Sequence, residues 1–134
     1  MKVIVIYGVT KKGCTYNIAR ETISHLDSVE EVKEIFLPKD APEYCHDCNQ
    51  CFLAEKPLCK TNEKTNEILE KILWADLIIF TSPVYVYHAT AAMKNLLDHY
   101  GNIWMVHRPQ KEMFKKQAII IATAAGGGMK TTIR

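Results

Sequence analysis

The amino-acid sequence predicts an α/β fold built on a doubly wound parallel sheet. Short apolar runs alternate along the chain with stretches in which residues recur at helical spacing. This repeated order of strand and helix requires right-handed crossovers and a parallel sheet with helices on both faces. The run at residues 3–7 is rich in β-branched side chains on both sides of the strand, as expected for a sheet that is covered twice.

In the first half of the chain, glycine and proline mark the ends of the predicted strands. The first strand covers residues 3–7 and ends at Gly8, and the second covers residues 32–37 and ends at Pro38. Proline ends a strand because it has no N–H to donate to the ladder. Between these strands one helix is predicted from residues at helical spacing: Ile18, Thr22, Ile23 and Leu26.

The second half repeats this order. A buried third strand at residues 77–80 ends at Ser82 and Pro83, and a buried fourth strand at residues 118–122 leads into three glycines. Two helices are predicted from apolar residues at helical spacing: Ile68, Leu69, Ile72 and Leu73; then Ala89, Ala92, Met93, Leu96, Leu97 and Tyr100. A five-stranded doubly wound domain needs another helix, strand and helix. We therefore expect either that the chain is a fragment or that a partner covers the exposed sheet edge.

Size and charge limit the classes of function. With 134 residues, 48% of them apolar, we expect one domain over residues 1–134. The 17 basic and 15 acidic side chains give a net charge of +2, which argues against nucleic acid or membrane as the main partner. The first apolar run is too short for a signal peptide, and no membrane-length stretch follows. We expect a cytoplasmic protein, whose five cysteines do not form a disulfide framework.

Ligands of doubly wound sheets bind beyond the carboxyl ends of the strands, so the loops there are the candidate sites. The first loop, residues 8–15, is bounded by glycines and opens into a helix, whose free N–H groups suit a phosphate. Its candidate phosphate ligands are Thr10, Lys12, Gly13, Cys14 and Thr15. Cys14 stands where a Walker A motif needs lysine, and this substitution argues against a nucleoside triphosphatase function. A turn that binds nothing remains the alternative.

The loops after strands three and four complete the predicted site. Pro83 stiffens the second loop, and Tyr85 and Tyr87 offer flat faces for an aromatic ligand, although either could be an ordinary core or surface tyrosine. The third loop contains Gly126, Gly127 and Gly128. Three consecutive glycines are costly in backbone entropy, which indicates close approach of the backbone to a ligand; a flexible turn is the alternative.

Several short motifs together follow the pattern of one known family: the stretch at residues 75–85, Met93-Lys94, Leu97-Asp98-His99, His107-Arg108-Pro109, and Thr15, Ile18 and Ala19 after the first loop. Through these residues the chain resembles the NAD(P)H-dependent FMN reductases of flavodoxin-like fold. The resemblance extends along almost the whole chain. It implies strand order 2-1-3-4, with a fifth strand and the last helices missing from this chain. The sequence departs from the family pattern at Val9, Cys14 and His99.

The resemblance also implies a set of FMN contacts. The first loop would hold the phosphate, with Thr10 compensating for the serine hydroxyl that is missing at Val9. The isoalloxazine ring would contact Pro83, Val84, Tyr85 and Tyr87, and Gly126 and Gly127 would supply backbone groups near its polar edge. The flavin carries the chemistry, so no catalytic acid or base is assigned, although His88 and His99 are conceivable proton donors.

Four cysteines form the sharpest local motif, in an insertion at residues 42–61: Cys45, Cys48, Cys51 and Cys59. Three thiols at intervals of three residues resemble the first half of a ferredoxin loop, and a distant fourth could complete a cluster. Zinc sites usually separate two cysteine pairs more widely, and free cysteines can be merely small apolar residues. A thioredoxin-type dithiol would open a helix after a strand, whereas this loop follows Pro42. The arrangement also resembles the compact motif of iron–sulfur flavoproteins, which join a [4Fe-4S] cluster to FMN.

Three functions remain open from the sequence. The first is an FMN-dependent oxidoreductase that passes electrons from NAD(P)H to a small acceptor such as a quinone, nitro compound or flavin. The second is an electron-transfer protein that relays electrons between redox proteins through FMN and a cluster. The third is a flavodoxin-like scaffold that serves as a binding or structural subunit. We expect a homo-oligomer, both from the predicted open sheet edge and from the family resemblance.

Overall fold

A four-stranded parallel sheet forms the centre of the molecule. The computed structural model describes residues 1–56, 58–105 and 107–133. The strand order is β2-β1-β3-β4, which confirms the predicted order and direction. The strands are β1 (Lys2–Tyr7), β2 (Glu31–Phe36), β3 (Leu77–Pro83) and β4 (Gln117–Thr123).

The three long helices lie where helical periodicity predicts them. They are α1 (Cys14–Ser24), α3 (Glu63–Trp74) and α4 (Ala91–Asp98). Four shorter helical segments were not predicted: α2 (Gln50–Leu53), α5 (Gly101–Trp104), a 3-10 helix (Lys111–Lys115) and α6 (Met129–Thr132). Segments of four or five residues are too short to display a helical period, which is why the sequence pattern misses them. No helix among the described residues is long and apolar enough to cross a membrane.

Two apolar layers cover the sheet, one on each face. Alternate residues of β1 point into opposite layers: Ile4 and Ile6 pack with α3 and α4, whereas Val3 and Val5 pack with α1. All four side chains are fully buried. Burying each such side chain contributes roughly 1.5–3 kcal/mol, so β1 is the best-anchored strand and gives the first loop a fixed origin.

The prediction that β4 is buried is wrong. Ile119 and Ile121 pack on the α1 layer, but Ile120 on the opposite side is 55% exposed. The described sheet gives β4 a neighbour on one side only, namely β3. An apolar run alone cannot distinguish a strand covered on both faces from one covered on a single face.

The third strand runs three residues further than predicted. Thr81, Ser82 and Pro83 belong to β3, and Pro83 pairs with Thr123 of β4. The next amide, that of Val84, donates to the Thr123 carbonyl, so the nitrogen of Pro83 faces the β1 side. The ladder between β1 and β3 has already ended at Thr81. Proline therefore costs no ladder hydrogen bond here, and the second loop begins at Val84.

Candidate functional site

The first and second loops are packed against each other at Gly8. The Gly8 amide donates to the Thr81 carbonyl at 2.7 Å, and the Thr90 hydroxyl donates to the Gly8 carbonyl at 2.7 Å. A Cβ at position 8 would lie 2.8 Å from the Thr90 hydroxyl oxygen and 3.0 Å from the Thr81 oxygen. Only glycine fits this space, because real Cβ atoms do not approach so closely.

The third loop joins the same rim through Thr123. Its hydroxyl lies 2.7 Å from the hydroxyl of Thr15, in the first turn of α1. Its carbonyl accepts a hydrogen bond of 2.7 Å from the amide of Val84, in the second loop. The three loops that the sequence selects therefore meet at one edge of the sheet.

The start of α1 is open to a ligand. Gly13 is the N-cap residue, and no side chain caps the helix. A Cβ at position 13 would meet no atom within 4 Å. Cys14 is exposed and Thr15 is buried, with its hydroxyl on Thr123. The start of α1 thus has no side-chain acceptor for its first-turn N–H groups and has open space beside Gly13, an environment that suits an anion.

The other two predicted phosphate ligands have partners inside the protein. The Thr10 hydroxyl donates to the Leu37 carbonyl at 3.3 Å. The Lys12 ammonium lies 5.1 Å from the ring centroid of Tyr16 and 5.5 Å from that of Phe36. These cation–π contacts draw Lys12 toward β2 while keeping its charge beside the helix start.

A cleft of about 650 Å³ lies beside Gly8. This volume is in the range of small-molecule sites. Three segments line the cleft: the end of β1, the stretch after β2, and the second loop with the start of α4. The lining residues are Gly8, Val9, Pro38, Ala41, Pro42, Glu43, Tyr44, Tyr85, Thr90, Ala91, Ala92 and Asn95. Of the predicted ring contacts, Tyr85 alone is in this set.

A tight turn separates the two predicted tyrosines. The backbones of Tyr85 and His88 exchange hydrogen bonds of 2.9 and 3.0 Å. Val86 and Tyr87 between them have φ values of 49° and 63°, in the left-handed region. Such values are rare for a β-branched residue such as Val86, and they persist only where the surrounding structure imposes them. The turn holds Val86 95% exposed beside the cleft.

Tyr87 and Val84 face the third loop instead of the cleft. A Cβ at Gly127 would lie 3.4 Å from the Tyr87 ring, and one at Gly128 would lie 2.8 Å from a Val84 methyl group. Gly128 has a φ of 96°, which side chains rarely adopt. A Cβ at Gly126 would meet no atom within 4 Å. Gly127 and Gly128 of the third loop therefore pack against the second loop, whereas the space beside Gly126 is open.

The four cysteines of the motif line a second cavity. The cavity is also lined by Asp98 of α4, Asn102 of α5 and His99, which lies between these two helices. The thiols of Cys48 and Cys59 lie 4.0 and 3.5 Å from the same Thr61 hydroxyl. Within the described part of the chain, no three histidine, cysteine or acidic side chains are grouped closely enough to hold one metal ion.

Two observations favour a bound group in the cysteine-lined cavity. Burial, followed by the neighbouring thiol of Cys59, raises the pKa of Cys51, and Cys45 and Cys48 add to the effect. Asn102 is 3% exposed, and its amide oxygen has no hydrogen-bond partner among the described residues. The crowded soft donors fit a thiolate-bound metal centre, which would remove the cost of the buried thiols. The Asn102 oxygen is an acceptor, so only a hydrogen-bond donor in the cavity would satisfy it.

Three contributors to these sites escaped the sequence prediction. Thr90 caps α4 by accepting from the Met93 amide, and a threonine just before an apolar helical pattern is a recognisable start signal. Asn95 and His99, four residues apart, are buried in the helix–loop contact. The sequence contains one signal for these two residues: at helical spacing they lie on the same face as the apolar Ala92 and Leu96, where polar side chains are unexpected. The sequence suggests His99 as a conceivable proton donor in the reaction, whereas in the structure its Nε2 donates to the Glu43 carbonyl, two residues before Cys45.

The sequence is similar to those of known proteins along the whole chain. A family model described as NADPH-dependent FMN reductase matches residues 1–134. An iron-sulfur flavoprotein of Methanocaldococcus jannaschii is 31% identical over 141 residues, which cover 100% of this chain and 68% of the relative. An iron-sulfur flavoprotein of Archaeoglobus fulgidus is 27% identical over 131 residues, covering 94% of this chain and 56% of the relative. The chain thus spans little more than half of the second relative.

The fold is also found among solved structures. The FMN-dependent NADH-azoreductase of Bacillus anthracis, solved in complex with FMN, superimposes with a TM-score of 0.64. The match covers 95% of this chain and 70% of that protein, at 13% sequence identity. At this identity the likeness shows the flavodoxin-like fold alone.

Proposed function

The chain belongs to the NADPH-dependent FMN reductase family, and from this premise we propose that it transfers reducing equivalents from NAD(P)H, through FMN, to a small acceptor such as a quinone, nitro compound or flavin. We further propose that residues 1–134 form one FMN-binding domain with a cysteine-rich insertion at residues 42–61. FMN-dependent oxidoreduction is the chemistry of the family. The electron donor and the acceptor are the parts that experiment must supply.

The uncapped start of α1, at the end of the loop that begins at Gly8 beside the cleft, carries this proposal. A phosphate there would accept hydrogen bonds from the free N–H groups of the first turn and interact with the positive end of the helix dipole. Five residues are proposed to bind it: Thr10, Lys12, Gly13, Cys14 and Thr15. The Lys12 ammonium adds a positive charge without leaving its aromatic neighbours.

The ring of FMN is proposed to lie against the second loop. Tyr85, which lines the cleft, offers it a flat face. Pro83, Val84 and Tyr87 hold the turn in position from the third-loop side, and Gly126 and Gly127 leave backbone groups accessible near the polar edge of the ring. When bound, FMN supplies hydride acceptance and electron donation, and the residues named here bind and orient it.

No side chain is assigned as a catalytic acid or base. The buried His99 donates from Nε2 to the Glu43 carbonyl at 2.7 Å, so this nitrogen is already engaged. His88 is exposed, and its backbone closes the turn with Tyr85. The proposal therefore rests on binding and orientation by the three loops.

An FMN titration of the Thr15→Val variant tests the phosphate seat. In the proposal the Thr15 hydroxyl accepts from Thr123 and donates its proton to the phosphate. Loss of a hydrogen bond to a charged group costs about 1.5–3 kcal/mol, so the Kd for FMN should rise roughly tenfold or more, as measured by calorimetry. Thr22→Val is the matched control, since it makes the same change two turns further along α1. An unchanged Kd in Thr15→Val, or wild-type protein that binds no FMN, would contradict the proposal.

Anaerobic reduction of the FMN-loaded protein tests the electron donor. Bleaching of the flavin absorption is followed after addition of NADPH or NADH, and an acceptor is then added to restore it. We expect reduction within seconds by at least one nicotinamide nucleotide and reoxidation by a quinone or nitro compound. A flavin that only dithionite reduces would remove NAD(P)H from the proposal.

A relay through a [4Fe-4S] cluster is the second candidate, favoured by the four cysteines on one cavity. Cys45, Cys48, Cys51 and Cys59, which line the same cavity, would hold the cluster. A cluster would convert the two-electron chemistry of FMN into single-electron steps between redox proteins. A single zinc ion is less well supported. In the part of the chain that the structure describes, no three histidine, cysteine or acidic side chains lie close enough together to bind one ion. Two relatives named iron-sulfur flavoproteins support the same choice.

Iron and acid-labile sulfide analysis of anaerobically purified protein separates the two candidates. The cluster requires about four iron atoms per chain in the wild-type protein and a large loss in Cys48→Ser. Cys14→Ser is the control, because Cys14 lies at the start of α1 and outside the cysteine-lined cavity. Flavin without iron in the wild-type protein would leave the reductase function and exclude the relay.

A further inference from the structure

The segment that carries the four cysteines is held by polar side chains. None of its described residues between 42 and 61 belongs to either apolar core cluster. Its only regular element in the described chain is the four-residue α2. Apolar burial therefore contributes little to its position, and the hydrogen bonds at its two ends decide where the thiols lie.

The beginning of the segment is fixed to α4. The amide nitrogen of Asn95 donates to the Pro42 carbonyl at 2.8 Å, and Nε2 of His99 donates to the Glu43 carbonyl at 2.7 Å. A carbonyl only accepts, so this contact places the proton of His99 on Nε2. Asn95 and His99 are each 7% exposed and lie one turn apart. Two successive carbonyls, separated from Cys45 by Tyr44 alone, are thus bound by Asn95 of α4 and by His99, the residue that follows this helix.

The end of the segment is fixed to α3. The Cys59 amide donates to the Asn66 side-chain oxygen at 2.8 Å, and the Asn66 side-chain nitrogen donates to the Cys59 carbonyl at 2.7 Å. One side chain thus binds both backbone groups of a cysteine. Asn62 connects the two ends by donating to the Glu43 carbonyl at 3.2 Å. Arg108 adds a hydrogen bond to the Ala54 carbonyl after α2.

The same contacts join the two candidate sites. Pro42, Glu43, Tyr44 and Asn95 line the cleft, whereas Cys45 and His99 line the cysteine cavity. The chain passes from one site to the other in a single residue step, at the point that α4 binds. A shift of this segment would move Cys45 and the wall of the cleft together.

We propose that Asn66, Asn95 and His99 are positioning residues that hold the cysteine segment ready for its ligand and fix it relative to the flavin cleft. The role in holding a ligand rests on the proposed iron–sulfur site. Without these anchors the segment would have to be ordered when the ligand binds, at the cost of its conformational entropy. Mutation of residues that orient metal ligands through hydrogen bonds typically lowers metal affinity by about 10–100-fold.

Hydrogen exchange of the metal-free protein tests the anchoring without any cluster. We expect His99→Ala and Asn66→Ala to accelerate amide exchange across residues 43–61 roughly fivefold, the effect of losing ordinary hydrogen bonds. His99→Gln should restore slow exchange, because its amide nitrogen can take the place of Nε2. His25→Ala, a change of the same type at the exposed residue that follows α1, should leave exchange unaltered.

Iron release from the reconstituted protein tests the effect on the ligand. Transfer of iron to a chelator should be about tenfold faster in His99→Ala and Asn66→Ala, and close to the wild-type rate in His99→Gln. Unchanged exchange in both alanine variants would overturn the inference, as would faster exchange with unchanged iron release. Faster exchange in protein that never takes up iron would instead overturn the iron–sulfur site and retain the anchoring.

Discussion

Gly8 is where a single side-chain atom would disturb both the fold and the cleft. The Thr90 hydroxyl and the Thr81 carbonyl occupy the space that a Cβ needs. We expect Gly8→Ala to lower the free energy of unfolding by about 1–3 kcal/mol, the range for overpacking a filled site. Urea denaturation measures the change, and FMN binding should weaken with it.

Gly126→Ala is the matched control for Gly8→Ala. A Cβ at Gly126 meets no atom within 4 Å, and its φ lies outside the left-handed region. The substitution should therefore leave the free energy of unfolding within about 0.5 kcal/mol, as is usual for exposed positions. Equal losses in the two variants would show that the contacts of Gly8 do not distinguish it from an exposed loop glycine.

Tyr85 and Tyr87 show where residue patterns stop being informative. Two positions apart in an extended chain, they would point to the same side, and the sequence gives no reason to separate them. The left-handed conformation of Val86 and Tyr87 turns the chain, so that Tyr85 lines the cleft and Tyr87 packs on Gly127 and Gly128. A valine in that conformation has no sequence signature, because the propensity of valine is for extended backbone.

The regular elements could be predicted because their patterns are local. The β-branched run of β1 and the helical spacing in α3 each identify an element without knowledge of its neighbours. Parallel direction then follows from crossover geometry. The anchors of the cysteine segment could not be found this way, since His99 and Glu43 are 56 residues apart. Such a pair is recognised only when the fold brings the two residues together.

Self-association of the protein can be tested at the exposed face of β4. Ile120 is 55% exposed on the side that α1 does not cover. An exposed apolar side chain on an uncovered sheet face favours contact with another chain. If a homo-oligomer covers this face, Ile120→Lys should shift the protein toward monomer in sedimentation experiments.

Ile18→Lys is the matched control for the Ile120 variant. Ile18 is 43% exposed on α1, on the opposite side of the sheet, and receives the same change in charge. We expect its sedimentation to equal that of the wild-type protein. Identical behaviour of both variants would place any self-association elsewhere on the molecule.

One apolar layer of the sheet and the two candidate sites are connected through α4. Met93 and Leu96 of this helix are buried in the sheet layer, whereas Asn95 and His99 hold the cysteine segment. Thr90, at its start, is bonded to Gly8. A single helix therefore relates the strand ends, the cleft and the cysteine cavity, which explains how a polar segment outside the core has a defined place.

Alkaline pH should destabilise the whole molecule through its buried phenols. Burial raises the pKa of Tyr100, and burial with the hydrogen bond to Glu34 raises the pKa of Tyr7, both from an ordinary value of 10.0. Above pH 10 the unfolded chain releases these protons while the folded protein keeps them. The unfolded state then binds fewer protons, so the free energy of unfolding falls as pH rises. Below pH 10 these two groups contribute no pH dependence.

Tyr100→Phe isolates one of these phenols. Its hydroxyl donates to the Thr65 carbonyl at 3.2 Å, so the variant should lose roughly 1 kcal/mol near neutral pH. Its decline in stability between pH 10 and 11.5 should be shallower than that of the wild-type protein, because one fewer proton is retained on folding. Urea denaturation at a series of pH values measures both effects. Tyr44→Phe, at a tyrosine that is 72% exposed, should reproduce the wild-type slope, and a Tyr100→Phe slope equal to it would contradict the burial argument.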